Sequence, residues 1–262
     1  MFVTSGGAQI AYDLVGSGGA DVLFIHAGVT DRRSWRSAIE RLSPRHRCLA
    51  FDMRGYGETT YEHEDGWSAV TDALAVLDAE GVTRTLIVAG SMGGRAAIDL
   101  TLAHPERVAG LCLIGTAVRG APYPELNEGP TAVLNAQIEA AEDIDEINRL
   151  EAWLWLDGPT SDEGRVKGPV RELFLEMNER PLRATDPGPQ ADIPDAWPRL
   201  GEISVPTLLL LGRLDAEDII AINQPLPDLI PDARLQWLDG VAHLPQLEGD
   251  PATLDAIAAF VG

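Results

Sequence analysis

Lysine is nearly absent from this chain of 262 residues, in which Lys167 is the only one. Schiff-base chemistry would therefore rest on a single residue, and its polar neighbours indicate an exposed position. Lysine and arginine together number 20 against 41 acidic residues, which gives a formal net charge of −21. That excess repels phosphate backbones and anionic membrane surfaces, so we expect neither nucleic acid nor a membrane as a partner.

Cysteine and long apolar runs are scarce too. Cys48 and Cys112 lie in apolar surroundings without metal-ligand spacing, which predicts buried free thiols and no metal site. No run reaches the roughly 18 apolar residues of a membrane span, and the first residues lack the basic and apolar stretches of a secretion signal. We expect a cytoplasmic protein, a monomer or homodimer, that acts on a small molecule without a cofactor.

Apolar runs that end in glycine or a polar residue recur along the chain. They cover residues 21–28, 47–55, 85–90, 108–115, 206–212 and 233–240. Continuous apolarity is typical of parallel strands buried on both faces, whereas the alternation before residue 20 indicates short antiparallel strands. Segments with helical spacing separate most of the runs, at residues 34–42, 67–80, 91–104, 216–229 and 251–261. The pattern predicts an α/β domain whose mainly parallel sheet is flanked by helices.

Residues 119–201 break this alternation. They lie between two predicted strands, contain helix-like pieces without a clear strand, and end in a stretch rich in proline, glycine and aspartate. A loop of that length is implausible in a compact domain unless it folds as a unit. We therefore predict a helical cap at 119–201, inserted between the two parts of the sheet domain, 1–118 and 202–262.

The sequence around Ser91, Ala89-Gly90-Ser91-Met92-Gly93, joins a predicted strand to a predicted helix. Small neighbours allow a sharp turn that pushes a serine hydroxyl out of the sheet, and the following helix offers its N-terminal N–H groups to an anion. A small residue in a tight bend is the plainer interpretation of Ser91. The segment resembles the G-x-S-x-G nucleophile elbow of the α/β-hydrolase fold superfamily, with Ala89 in place of the first glycine.

The resemblance extends to two further segments and implies a mostly parallel sheet of about eight strands. "IHAG" closes the first central strand where the family has an H-G-x turn, with alanine in place of the glycine. By position it implies that the N–H groups of Gly28 and Met92 bind an oxyanion. His26 is interpreted as a structural hydrogen-bonding residue. "FDMRGYGET" matches a recurrent family segment, and we interpret Asp52 and Arg54 as a cluster that stabilises this turn.

The family orders its catalytic triad as nucleophile, acid and histidine. Asp215 follows one predicted strand and His243 follows the next, both after Ser91. The resemblance implies that His243 is the general base and that Asp215 orients it. Glu217 and Asp218 compete for the acid position, and we favour Asp215 because it comes directly after the strand end.

The substrate is less well defined by the sequence. Val29, Trp153 and Trp155 are predicted to bind it, although most aromatic residues at helical spacing in the cap belong to a core. Apolar pocket walls favour a small-to-medium hydrophobic ester or lactone, cleaved by a serine hydrolase. Two alternatives stay open: hydrolysis of a C–C bond in a ring-cleavage product, and a ligand receptor that retains the hydrolase shell with negligible turnover.

Overall fold

The computed structural model describes all 262 residues. Its centre is a sheet of nine strands: β1 (Phe2–Ser5), β2 (Ala8–Val15), β3 (Asp21–Ile25), β4 (Arg47–Phe51), β5 (Thr60–Tyr61), β6 (Thr85–Gly90), β7 (Val108–Ile114), β8 (Thr207–Gly212) and β9 (Ala233–Leu238). The strand order is β1-β2-β4-β3-β6-β7-β8-β9, and β5 pairs with β2. Strands β4, β3 and β6 to β9 are parallel, while β1, β2 and β5 pair antiparallel. The predicted mainly parallel α/β sheet is thus confirmed, and the extra strand is the two-residue β5.

Helices cover both faces of the sheet. The α-helices are α1 (Arg36–Leu42), α2 (Ala69–Ala79), α3 (Met92–Ala103), α4 (Pro130–Ala140), α5 (Ile144–Glu151), α6 (Pro169–Arg183), α7 (Glu217–Asn223), α8 (Leu226–Leu229), α9 (Pro245–Glu248) and α10 (Pro251–Val261). Shorter 3-10 turns occupy Arg32–Trp35, Pro105–Arg107 and Trp197–Glu202, and a π-helical turn occupies Ala152–Asp157. None of these helices is long and apolar enough to cross a membrane.

The two faces of the sheet bury separate apolar clusters. Successive residues of a strand point to opposite faces, and β6 shows this directly: Ile87 packs in the cluster with α2 and α3, while Val88 packs in the cluster with α1 and α10. Both side chains are fully buried. This burial on both faces explains why the strands are recognisable as continuous apolar runs.

One predicted helix is in fact two. The segment 216–229 forms α7, which ends at Asn223, and α8, which begins at Leu226. Pro225 lies between them, and a proline has no N–H to continue the hydrogen bonds of a helix. The prediction of a single helix therefore failed at this proline.

Between β7 and β8 the chain forms helices joined by irregular segments. Residues 119–201 contain α4, α5, the π-helical turn and α6, and no strand. The π-helical turn is followed by Gly158, whose φ is +93°, and a Cβ there would lie 2.3 Å from the Leu214 carbonyl oxygen. Glycine is therefore required where this segment meets the loop after β8.

The interpretation of Asp52 and Arg54 as one cluster needs correction. Asp52 accepts hydrogen bonds from the backbone N–H groups of Arg32 and Glu58, at 2.9 and 2.8 Å. Arg54 turns to a different partner, Asp72, with both N–O distances at 3.0 Å. The two residues stabilise separate contacts because their side chains leave this turn in different directions.

The start of α10 provides a stability test. Asp250 accepts hydrogen bonds from the N–H of Thr253 at 2.8 Å and from its hydroxyl at 2.7 Å, and Thr253 is fully buried. Asp250→Ala should lower the free energy of unfolding by about 1–2 kcal/mol, because it removes the cap and leaves a buried hydroxyl without its acceptor. Urea denaturation measures this change. The exposed Asp192 makes no such contact, and Asp192→Ala should shift the value by less than about 0.5 kcal/mol; equal effects of the two variants contradict the assignment.

Candidate active site

Ser91 is held in an unusual backbone conformation between β6 and α3. Its φ of 50° makes it the only residue other than glycine with a positive φ. Such a conformation costs on the order of 1–3 kcal/mol and persists only where the surroundings impose it. Here the Ser91 N–H donates to the Ile114 carbonyl at 2.9 Å, and the Ala117 N–H donates to the Ser91 carbonyl at 3.1 Å. The end of β7 therefore fixes the turn that presents Ser91.

Two glycines after Ser91 are required by close packing. A Cβ at Gly93 would lie 2.4 Å from the Ile25 carbonyl oxygen, and a Cβ at Gly94 would lie 2.1 Å from the Thr116 hydroxyl oxygen. Gly90 differs, since its nearest contact from a Cβ would be 3.8 Å. Small residues are therefore required after Ser91, at Gly93 and Gly94, because α3 lies directly against the end of β3 there. They are not required by packing before it, at Gly90.

Asp215 and His243, which lie 28 residues apart in sequence, form a buried pair. The His243 Nδ1 lies 3.0 and 2.9 Å from the two carboxylate oxygens of Asp215. Both side chains are almost completely buried, and Asp215 also accepts a hydrogen bond from the Ala216 N–H at 2.8 Å. With Nδ1 donating to the carboxylate, the lone pair of a neutral imidazole lies on Nε2. The ring is therefore oriented to accept a proton there.

The other two acids of this loop do not bond to His243. One carboxylate oxygen each of Glu217 and Asp218 is buried without a hydrogen-bond donor. Burial raises the pKa of Asp218, the negative charge of Asp215 raises it further, and His243 acts in the opposite direction. Asp218 therefore lies close to the Asp215–His243 pair without taking part in its hydrogen bonds.

Gly115 is a site residue that sequence reasoning missed. It follows β7 with a φ of +48°, and a Cβ there would lie 2.9 Å from both the Asp215 Oδ2 and the His243 Nδ1. The imidazole–carboxylate pair therefore packs directly on the backbone at this position. The only signal in the sequence was a glycine at the end of an apolar run.

Asn223 is a second residue that sequence reasoning missed. Its side-chain amide accepts from the Thr116 N–H at 3.1 Å and donates to the Thr116 carbonyl at 2.9 Å, across 107 residues of sequence. This pair of bonds ties the loop that follows Gly115 to α7. The backbone under the Asp215–His243 pair is thereby held from both sides.

The two predicted oxyanion donors lie close to each other. A Cβ at Gly28 would lie 3.5 Å from the Met92 sulfur. The Gly28 N–H donates to no acceptor in the protein, and Met92 is the first residue of α3, where N–H groups have no acceptor within the helix. Two N–H groups beside Ser91 are thus available to an anion.

His26 shapes the turn that carries Gly28. Its Nδ1 lies 2.8 Å from the Ala27 carbonyl oxygen, and its Nε2 accepts from the Met53 N–H at 3.0 Å. The N–H and the hydroxyl of Thr30 also donate to the Ala27 carbonyl, at 3.1 and 3.2 Å. Burial lowers the pKa of His26. The predicted structural role of this histidine agrees with its two backbone contacts.

The residues predicted to bind substrate fall in different places. The Trp155 ring lies 4.8 Å from the His243 ring, centroid to centroid, and Val29 packs against the apolar cluster that contains Ala27. Trp153 packs in another cluster, and its indole N–H donates to the Ser161 carbonyl at 2.9 Å. Trp155 is therefore the one of the three in contact with the histidine. No three His, Cys, Asp or Glu side chains converge as a metal-binding group.

Comparison with known proteins places this site in context. A model described as "Alpha/beta hydrolase family" matches residues 22–257. The chain is similar to a 2-hydroxymuconate semialdehyde hydrolase from Pseudomonas sp. (strain CF600), at 30% identity over 92% of this chain and 87% of that protein. It is also similar to a pimeloyl-[acyl-carrier protein] methyl ester esterase from Yersinia enterocolitica, at 24% identity over 96% of this chain and 97% of that protein. The solved structure of a hydrolase from Pseudomonas aeruginosa PA01 is 28% identical, with a TM-score of 0.80 and coverage of 100% of this chain and 98% of that one.

The packing of Gly115 can be tested with a serine-directed fluorophosphonate probe. Gly115→Ala should slow labelling of Ser91 at least about tenfold, because the added Cβ displaces His243 and the left-handed backbone is strained by a side chain. Gly90→Ala is the matched control and should label at a rate close to that of the unmodified protein. The labelling rates are measured by gel fluorescence. Equal rates for the two variants would show that the Asp215–His243 pair does not depend on Gly115.

Proposed function

This chain belongs to the alpha/beta hydrolase family, and from that premise we propose that it is a serine hydrolase of the carboxylesterase or lactonase type. The observation that carries the proposal is the buried Asp215–His243 hydrogen bond together with the positive φ of Ser91. In this proposal Ser91 attacks the carbonyl carbon of an ester or lactone and forms an acyl-enzyme. Water then releases the acid.

Each residue has a separate part in the proposed reaction. His243 takes the proton from the Ser91 hydroxyl as attack begins and returns it to the leaving alcohol. Asp215 keeps the imidazole in the tautomer with the free Nε2 and stabilises the imidazolium that forms. The N–H groups of Gly28 and Met92 bind the oxyanion, and one such donor contributes about 3 kcal/mol to the stability of the transition state. The largest electrostatic contribution thus comes from backbone groups.

The helical segment 119–201 is proposed as a cap over this site. Trp155, from its π-helical turn, lies against His243, and Val29 joins the apolar cluster that links the segment to the sheet domain. These side chains would form an apolar wall for a hydrophobic acyl or alcohol group. Trp153 is left out of the wall because it does not pack in the cluster with Val29 and Trp155, and its indole N–H donates to the Ser161 carbonyl.

Hydrolysis of a C–C bond is a second candidate, favoured by the 30% identity to a 2-hydroxymuconate semialdehyde hydrolase. The segment after His26, "AGVTDRRSW", is not rich in glycine and serine, unlike the segment we associate with that chemistry. Turnover of a vinylogous 1,5-diketone, measured by its loss of absorbance, separates the two candidates. We expect simple esters to be cleaved with a kcat/KM at least about tenfold higher; a preference for the diketone makes C–C hydrolysis the function.

Removal of the nucleophile tests the serine mechanism. Ser91→Ala should lower kcat for p-nitrophenyl butyrate by at least about 1,000-fold, since it removes the hydroxyl that is proposed to form the acyl-enzyme. The exposed Ser204 serves as the control, and Ser204→Ala should keep the unmodified rate within about twofold. The release of nitrophenolate is followed by its absorbance. Equal activity of the two variants rules out Ser91 as the nucleophile, and equal inactivity of all preparations favours a receptor.

A further inference from the structure

One half-buried arginine lacks the acidic partner that the other buried and half-buried arginines have. Among the 19 arginines, six have no carboxylate within 4.0 Å: Arg36, Arg45, Arg84, Arg95, Arg180 and Arg234. Five of these are exposed, and only Arg95 is half-buried. Its guanidinium also donates no hydrogen bond to the protein. A partly desolvated cation without a partner is unexpected in a chain with 41 acidic residues.

Arg95 faces a cavity of about 400 Å³. Apolar side chains from the loop after β4, from α2 and from the end of 119–201 form much of its wall, among them Met53, Val70 and Ile193. Met92, the residue after Ser91, also lines it. Its polar lining includes Arg54 and Arg119, which are paired with acids, and the carboxylates of Asp99 and Asp186. Arg95 is the one lining arginine without an acid within hydrogen-bond distance, and a cation beside apolar walls suits an organic acid better than an inorganic ion.

Asp99 is not a hydrogen-bonding partner of Arg95. It lies one turn further along α3 and lines the same cavity, but its partner is Arg119, whose Nη2 donates to Oδ2 at 2.9 Å. The other oxygen, Oδ1, is buried without a donor. Arg119 holds the Asp99 carboxylate by hydrogen bonds, whereas Arg95 acts on it only through its charge, which opposes the rise in the Asp99 pKa caused by burial. The N–H groups of the Arg95 guanidinium therefore remain available to a ligand. Asp99 Oδ1 is likewise free to accept from a hydroxyl or an N–H of a bound molecule.

Arg95 lies one turn after Ser91, in the first half of α3. The Arg95 N–H donates to the Ser91 carbonyl at 3.1 Å, so the two residues lie one helical turn apart, about 6 Å along the axis. Side chains in a helix tilt towards its N-terminus, which is the end that carries Ser91. A group held by Arg95 would therefore lie a few bonds from a carbonyl carbon placed at Ser91.

We propose that Arg95 binds a carboxylate of the substrate, and that the preferred substrate is a monoester or lactone that carries a second, free carboxylate group. This inference rests on the proposed serine hydrolase function and specifies its substrate class. A guanidinium matches a carboxylate with two parallel hydrogen bonds, which are stronger than bonds between neutral groups. Arg95 is then a specificity-determining residue, and the apolar walls hold the chain between the two ends of the substrate.

Monomethyl adipate and methyl hexanoate are the matched probes, since they differ only by the free carboxylate at the far end of a six-carbon acyl chain. The unmodified protein should cleave monomethyl adipate with the higher kcat/KM. Arg95→Gln should lower that value about 10- to 100-fold, the usual effect of losing a hydrogen bond to a charged group, and change the value for methyl hexanoate less than about twofold. Arg95→Lys should recover part of the loss, because it restores the charge without the two-bond geometry.

The control is Arg36→Gln, which makes the same change of net charge at an exposed arginine that also has no acidic partner. It should leave kcat/KM unchanged for both esters. A parallel loss on both esters in Arg95→Gln, or no preference for the monoester in the unmodified protein, overturns the inference. If neither ester is cleaved by any preparation, the proposed function fails by itself. Calorimetric titration with adipate then decides on Arg95: binding that is lost in Arg95→Gln supports the site, and absence of binding to the unmodified protein overturns it.

Discussion

The hydrogen bond between Asp215 and His243 depends on a close approach of three separate strand ends. Gly115 after β7 leaves room for the pair, and Gly212 at the end of β8 leaves room for the histidine loop, since a Cβ at Gly212 would lie 2.2 Å from the Ala242 carbonyl oxygen. The Leu214 N–H also donates to the Val241 carbonyl at 3.1 Å. Neighbouring parallel strands end at the same edge of the sheet, so loops after β7, β8 and β9 meet there. The relative positions of Asp215 and His243 therefore depend on close backbone packing between these three loops.

Strain and rigidity at Ser91 have the same origin. Its positive φ is accompanied by a hydrogen bond from its N–H to the Ile114 carbonyl at the end of β7, and by the close packing of Gly93 in α3 against Ile25 in β3. Asn223 then couples this region to the helix that follows Asp215. The residues proposed as nucleophile and base, Ser91 and His243, need positions fixed to a fraction of an ångström, and such precision is easier to maintain on strand ends than on free loops.

Arginines connect the helical segment 119–201 to the sheet domain. Arg165 donates to both carboxylate oxygens of Glu248, at 2.8 and 2.7 Å, and Glu248 lies five residues after His243 in sequence. Arg33, from the sheet domain, pairs with Glu176 of α6 at 2.7 Å. Acidic residues outnumber basic ones two to one, and every buried or half-buried arginine except Arg95 has a carboxylate within ion-pair distance. The unpaired Arg95 stands out against that background as a group with a partner outside the chain.

Most of the order of strands and helices could be predicted from the sequence, because strands buried on both faces are continuously apolar and helices repeat their apolar residues every three or four positions. The sequence also marked Ser91, Asp215 and His243 as residues at strand ends, since short motifs are local. The local sequence does not show which of three acids bonds to His243, and the fold brings Asp215, rather than Glu217 or Asp218, to the imidazole. The tertiary structure alone revealed the roles of Gly115 and Asn223 and the missing partner of Arg95. Each of these features depends on contacts between residues far apart in the chain, such as Thr116 and Asn223, which are 107 positions apart. A local sequence pattern does not predict contacts of that kind.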